Sequence, residues 1–182
     1  MVAGLTFAGQ MGSWSEATRT GWTCVLTDVD EDACENARYN VEKQQKVYFP
    51  GGFVTDTRVQ VLDWEDDDLF VDEHGEASFD IILGADVVHQ EDMASGVVRA
   101  LDRHLAPHGF AFIVNPAPHS RGGCGTFRKL LRERGWKVET RAITSPIIIV
   151  GMEDECEDVP LDFYVIQKSE DATPFPPLNN LA

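Results

Sequence analysis

The stretch FDIILGAD, residues 79–86, decides how this chain folds. Phe79–Leu83 is a continuous apolar run of the kind buried on both faces of a parallel sheet, and Gly84-Ala85-Asp86 ends it. On its C-terminal side, Glu91–Leu105 reads as an amphipathic helix with Met93, Val97, Val98, Leu101 and Leu105 on one stripe. His108-Gly109 punctuates that helix, and Phe110–Val114 (FAFIV) is a second buried strand. Phe127–Glu133 is again helical and stops at Gly135, a residue suited to a helix C-terminus. On the N-terminal side, Thr23–Asp28 (TCVLTD) is a short strand that closes on a carboxylate. Asp30 stands where a helix N-cap belongs, and Ala33, Ala37 and Val41 follow at helical spacing from Glu31 to about Lys43. Arg58–Leu62 alternates as a strand does, after a turn signal at Pro50-Gly51-Gly52.

Strand and helix alternate from Thr23 to Gly135, which argues for βαβ units and a mostly parallel sheet with helices on both faces. Lys137–Ile143 and Leu161–Gln167 are two further strands with no helix between them, so an antiparallel pair at the C-terminal edge is expected. Pro146–Val150 and an acidic run, Glu153–Asp158, lie between them. The runs Glu65–Asp68 and Val71–Ala77 read as solvated loop. No internal repeat is present. The organisation expected is one domain over 1–168, with an atypical or truncated first strand and helix in 1–22, and a mobile tail over 169–182 rich in Pro and Asn.

Composition narrows the function classes. The 182 residues suit one domain, and 43% apolar with 25% charged is globular composition. No apolar run approaches the ~20 residues that span a bilayer, and the N-terminus lacks a basic region ahead of an apolar stretch, so neither membrane nor secretory signal is expected. The 31 acidic residues against 15 basic, a formal charge of -16, argue against a nucleic-acid surface and suit a basic partner as well as simple solubility. Cys24, Cys34, Cys124 and Cys156 form no CxxC pair and read as free thiols in a reducing compartment. The histidines lack metal-ligand spacing, so no metal is expected. These features point to a cytoplasmic location, with the nucleus open as well.

Ligands of an open parallel sheet bind outside the carboxyl ends of its strands. Successive strands here end at Asp28, at Asp63-Trp64 and at Ala85-Asp86, which lines one rim with three carboxylates and an indole. For a nucleoside ligand, Asp28 can accept from both ribose hydroxyls, Trp64 offers a flat face to adenine, Asp63 can accept from an exocyclic amine, and Ala85 lets the ring approach the backbone. Each residue has a plainer reading by itself, as a turn or cap carboxylate or a lid on the core. The case rests on their recurrence at consecutive strand ends.

The segments VLTDVDEDACENARYNV (25–41), LDW (62–64) and FDIILGADVVHQED (79–92) resemble the family 16 methyltransferases, class I S-adenosylmethionine-dependent enzymes that include many protein-lysine methyltransferases. The resemblance covers roughly Thr23 to Ile143 and implies a Rossmann-like class I methyltransferase fold. It implies that Asp28 holds the ribose of S-adenosylmethionine, that Trp64, preceded by Asp63, packs on adenine, and that Ala85 contacts the cofactor. Asp86 matches the carboxylate placed near the transferred methyl and the incoming amine. His89 stands where the family's Gly-Ala-Asp-x-x-Tyr pattern has tyrosine; a histidine can still hydrogen-bond or take a proton near neutral pH. The family's Glu-x-Gly-x-Gly loop has only Phe7–Gly12 as a counterpart, after a short and Gly-broken Val2–Thr6, and Trp14 is no clear substitute for a Trp that usually precedes that loop. Met1 is therefore open to being an internal methionine of a longer protein. Pro116-Ala117-Pro118-His119 reads as a rigid loop rather than a source of catalysis.

The activity implied is methylation of a protein lysine, with Asp86 orienting the amine, His89 accepting its proton directly or through water, and the protein acting as a monomer on a basic target. Two other readings are a non-catalytic or truncated methyltransferase-like binding module and a nicotinamide-dependent oxidoreductase. The second needs a G-x-G-x-x-G after the first strand, which is not present. Cofactor affinity separates the first from an active enzyme.

Overall fold

The computed structural model describes residues 23–48, 56–64, 71–72, 75–76, 79–143 and 160–168. The expectations for 1–22, Pro50-Gly51-Gly52, Glu65–Asp68, Pro146–Val150, Glu153–Asp158, Cys156 and the tail fall outside these residues. The chain forms two compact units, Met1–Phe70 and Val71–Ala182.

In the first unit, β1 (Thr23–Asp28) and β2 (Asp56–Val61) pair in parallel, Thr23 opposite Asp56 and Asp28 opposite Val61. Helix α1 (Glu31–Tyr48) makes the crossover. Its start is fixed by two aspartates in relay. Asp28 Oδ1 accepts the N–H of Asp30 at 3.1 Å, and Asp30 Oδ1 accepts the N–H of Asp32 at 2.9 Å, satisfying a donor that the helix itself leaves open. Glu31 and Asp32 add negative charge at the positive end of the helix dipole. Leu26, Cys34, Ala37 and Val41 are buried. The Cys34 thiol reaches the Asp28 carbonyl at 3.6 Å and the Gln60 carbonyl at 3.5 Å, tying both strands to the helix. The helix runs past Lys43 to Tyr48, and β2 starts at Asp56 rather than Arg58.

In the second unit, β5 (Phe79–Ala85), β6 (Leu105–Pro116), β7 (Lys137–Ile143) and β8 (Leu161–Gln167) form a sheet in the order β5-β6-β8-β7. β5 and β6 are parallel, while β8 lies between β6 and β7 and is antiparallel to both. The expected antiparallel C-terminal pair is thus present. Helix α2 (Glu91–His104) connects β5 to β6, α3 (Gly122–Glu133) connects β6 to β7, and the two helices pack together. The core joins Val97, Val98 and Leu101 of α2, Phe127 and Leu131 of α3, and Ala111, Ile113, Tyr164 and Ile166 of the sheet. Phe127 meets Tyr164 edge to face at 5.5 Å between ring centres. Each large apolar side chain buried this way contributes roughly 1.5–3 kcal/mol.

Several expectations are corrected here. Among the described residues β5 has a strand neighbour on one side only, β6, and Phe79–Ala85 holds no fully buried residue, with Leu83 39% exposed. β6 alternates: Ala111, Ile113 and Asn115 are buried, whereas Phe110 and Phe112 stack half-buried on the opposite face, and Phe112 stacks in turn on Phe163. Ala94 rather than Met93 enters the core from α2. His108-Gly109 does not break the chain; β6 begins at Leu105, and the partner of β5 jumps from Leu105 to Phe110. Val71–Ala77 includes a two-residue antiparallel pair, β3 (Val71–Asp72) with β4 (Gly75–Glu76). Gly135, at φ 67°, ends α3 as expected, its N–H bonded to the Arg132 carbonyl at 3.1 Å.

Candidate active site

The first unit brings three of the anticipated residues to one edge. Asp28 is the last residue of β1, and its carbonyl accepts the N–H of Leu62 at 2.9 Å, immediately after β2. Asp63 and Trp64 follow directly, so both strands deliver their polar and aromatic residues at their carboxyl ends. Asp63 is exposed, while Trp64 and Asp28 are partly so. One oxygen of Asp28 is engaged by Asp30 N–H, which fixes the carboxylate and leaves its second oxygen to accept from a ligand.

The second unit builds a different cluster at the carboxyl ends of β5 and β6. Ala85 is exposed at the end of β5, and Asp86 follows in the left-handed region with φ 54°, the one non-glycine residue with positive φ among those described. Asp tolerates this conformation better than most residues, yet it costs on the order of 1–3 kcal/mol and needs surroundings that impose it. Those surroundings come from β6. The N–H of Asp86 donates to the Val114 carbonyl at 2.7 Å, and the N–H of Val87 donates to Asn115 Oδ1 at 3.0 Å. Asn115 is wholly buried, and its Nδ2 has no partner among the described residues.

Arg121 completes the cluster. Its Nη1 lies 2.9 Å from Asp86 Oδ1 and also donates to His89 Nδ1. His89 Nε2 faces Asp86 Oδ2 at 3.9 Å. The Asp86 carboxylate is 51% exposed, so the cluster opens to solvent on one side. Arg121 is delivered by a turn after β6, in which Ser120 N–H bonds to the Ala117 carbonyl at 2.8 Å and Ala117 N–H bonds to the Pro160 carbonyl at 2.7 Å. His119 sits exposed on that turn. The Cys124 thiol, buried one helical turn further on, donates to the Val88 carbonyl at 3.4 Å, and burial pushes its pKa up.

The six anticipated residues therefore lie in two groups: Asp28, Asp63 and Trp64 in one unit, and Ala85, Asp86 and His89 in the other. Sequence reasoning missed Asn115 and Arg121. Asn115 carries a usable signal, since an amide that closes the apolar run FAFIV stands at a strand's carboxyl end. Arg121 carries none, because its importance comes from what the fold sets beside it. A hollow of about 260 Å³ between α3 and β7, lined by Arg128, Arg132, Trp136, Val138 and Thr140, contains none of these residues. No described helix is long and apolar enough to cross a membrane.

An α/β chain with parallel βαβ units, an antiparallel strand inserted next to the last, and carboxylates at the strand ends has the architecture of the class I methyltransferases. The model of the lysine methyltransferase family matches residues 3–120, more than half of the chain, and the chain belongs to that family of S-adenosylmethionine-dependent methyltransferases. Solved structures agree in fold. A methyltransferase from Pyrococcus furiosus is 16% identical, with a TM-score of 0.55 over 88% of this chain and 70% of that one. A putative methyltransferase from Thermoplasma acidophilum is also 16% identical, with a TM-score of 0.54 over 91% and 66%. A TehB-like SAM-dependent methyltransferase from Corynebacterium glutamicum is 22% identical, with a TM-score of 0.50 over 80% and 67%. No curated protein matches the chain in sequence.

S-adenosylmethionine is the cofactor of this class, and the residues present suit it. In the first unit, the second oxygen of Asp28 can accept from ribose, the partly exposed Trp64 offers an aromatic face and the exposed Asp63 a carboxylate; in the second unit, Ala85 is exposed at the end of β5.

Proposed function

We propose that the chain is an active N-methyltransferase whose acceptor is a lysine on a basic protein segment, and that it works as a monomer. The observation that carries this reading is Asp86: a half-exposed carboxylate at the end of β5, forced into the left-handed region and held by Arg121. Strain of that kind has a use where a carboxylate must meet a substrate. The family's description favours lysine as acceptor, and the formal charge of -16 favours a basic segment around it.

S-adenosylmethionine supplies the electrophilic methyl group. In the first unit Asp28, Asp63 and Trp64 serve the nucleoside, and in the second unit Ala85 serves as a cofactor contact. Asp86 accepts a hydrogen bond from the lysine amine and aims its lone pair. Orientation alone contributes about 7–11 kcal/mol in well-aligned bimolecular reactions. The amine must first lose a proton, since an unperturbed lysine titrates near ~10.4.

The test is a calorimetric titration of the 182-residue chain with S-adenosylhomocysteine, followed by transfer of labelled methyl to lysine-rich proteins with mass-spectrometric localisation. Binding together with label on lysine Nζ supports the reading. Binding with label on any other atom, or on nothing, refutes lysine methylation by this chain.

A further inference from the structure

We propose that Arg121 is the positioning residue of this site, acting on Asp86 directly and on His89 by choosing its tautomer. The proposal rests on the methyltransferase reading above but makes a claim about the resting protein that needs no turnover to check.

The argument starts from donors and acceptors. A guanidinium in a protein is always charged and offers only N–H donors. Arg121 Nη1 meets His89 at Nδ1, so that nitrogen accepts and the ring proton resides on Nε2. Nε2 is also the ring nitrogen that faces Asp86 Oδ2, 3.9 Å away. The three side chains thus form a closed arrangement: Arg121 donates to Asp86 Oδ1 at 2.9 Å and to His89 Nδ1, while His89 points its N–H toward Asp86 Oδ2. Arg121 bonds one carboxylate oxygen, and the other faces His89 Nε2 beyond hydrogen-bonding distance.

Two consequences follow for chemistry. A carboxylate has about four acceptor positions, so Arg121 uses one and leaves the others for the substrate amine. His89, with one nitrogen engaged and the other protonated, has no free lone pair with which to remove a proton. The role of proton acceptor expected for it passes to water, which reaches the half-exposed Asp86. The amine arrives neutral, its proton having gone to solvent, and His89 keeps its Nε2 proton on the side of Asp86.

Arg121 meets both acceptors through the one nitrogen Nη1, which a rigid planar guanidinium holds between them. A lysine ammonium has the donors but sits on a flexible stem and is not held in one place. The placement is built by the fold, because Arg121 directly precedes α3, whose first turn packs on residues 88–90.

The test is nitrogen-proton correlation NMR of the histidine rings in the uniformly labelled full chain, with His89→Gln identifying the His89 signals. In the wild type, Nδ1 is expected to be the unprotonated nitrogen and Nε2 the protonated one near pH 8. Arg121→Met should release this preference, and Arg121→Lys should restore it only in part. Protonation of Nδ1 in the wild type, or an unchanged tautomer in Arg121→Met, overturns the proposal even if the protein is an active lysine methyltransferase. A confirmed tautomer in a protein that transfers no methyl keeps this proposal and discards the activity. Where transfer is measurable, kcat of Arg121→Met should fall roughly 10- to 100-fold, as expected for a misaligned reacting group, with the dissociation constant for S-adenosylhomocysteine unchanged. A drop in cofactor affinity as large as the drop in kcat would assign Arg121 a general structural role instead.

Discussion

Gly123 runs so close to Gln90 that a Cβ built on it would stand 2.3 Å from the Gln90 carbonyl oxygen, and 2.6 Å from its carbonyl carbon. The first turn of α3 is therefore pressed onto the backbone that follows Asp86 and His89. That approach, together with the Cys124 thiol on the Val88 carbonyl, is what sets Arg121 over the carboxylate.

Gly123→Ala should accordingly be more harmful than its neighbours' substitutions. The obstruction is backbone, which cannot swing aside, and overpacking of this kind costs about 1–3 kcal/mol. A loss of that size lowers Tm by roughly 2–4 °C per kcal/mol in a chain of this length. Turnover should fall as well, since α3 carries the residue that holds Asp86. Gly125→Ala is the control: a Cβ there meets nothing within 4 Å, and alanine in a helix interior is better than glycine by about 1 kcal/mol. Thermal melts of the two variants should move in opposite directions. Equal effects would show that the Gln90 contact does not constrain α3.

Asp86→Ala should abolish methyl transfer, by roughly 100-fold or more if alignment is its role, while affinity for S-adenosylhomocysteine stays within about threefold. Loss of both together would place Asp86 in cofactor binding rather than in handling the acceptor. Asp86→Asn separates the charge from the shape. It keeps an acceptor and a residue at ease in the left-handed region, yet breaks the ion pair with Arg121, so an intermediate rate is expected.

Asp28→Ala should weaken cofactor binding roughly 10- to 100-fold, because hydrogen bonds to a charged acceptor contribute about 1.5–3 kcal/mol. The substitution also removes the acceptor for Asp30 N–H, so a calorimetric loss needs a check that α1 survives. Asp28→Asn keeps that acceptor and provides it. Trp64→Ala should weaken binding by a comparable factor without disturbing the start of α1. Isotherms unchanged in both positions would remove the first unit's rim from the cofactor site.

How far this was readable beforehand varies with the physical source of each feature. β1, β5 and β6 announce themselves as apolar runs, and Asp28 and Asp86 are legible because a strand's carboxyl end is a known place for ligands. The start of α3 was hidden. Gly122, Gly123 and Gly125 have poor helix propensity, so a local reading begins the helix at Phe127, whereas the glycine at 123 is there for a tertiary contact. β3 and β4 have two residues each, too few to show any period. β5 looked doubly buried from its composition, but composition does not reveal that, among the described residues, only β6 pairs with it. Arg121 is the clearest limit. It lies 35 residues from Asp86 in a Gly-rich stretch, and only the β6 turn brings the two together.

The core of the second unit carries a pH signature that can be read without any ligand. Tyr164 is fully buried, and burial first, then the Asp162 carboxylate that its hydroxyl meets at 3.4 Å, push its pKa well above the ordinary 10.0. Burial likewise raises the thiols of Cys24 and Cys124 above 9.0. In each case the folded chain holds its proton more tightly than the unfolded chain does. The resulting stability is complete below the ordinary values and is lost as pH rises through them, because only the unfolded chain then gains by ionising. A phenol that ionises in the unfolded state alone contributes about 1.4 kcal/mol per pH unit above its ordinary value. Stability against urea should thus be level from neutral pH to about 9 and decline beyond it, more steeply above about 10. Tyr164→Phe keeps the ring against Phe127 and removes the titrating group, so its decline above about 10 should be shallower than that of the wild type. Parallel curves for the two proteins would mean that Tyr164 ionises as readily in the folded chain as in the unfolded one, and that water reaches its hydroxyl.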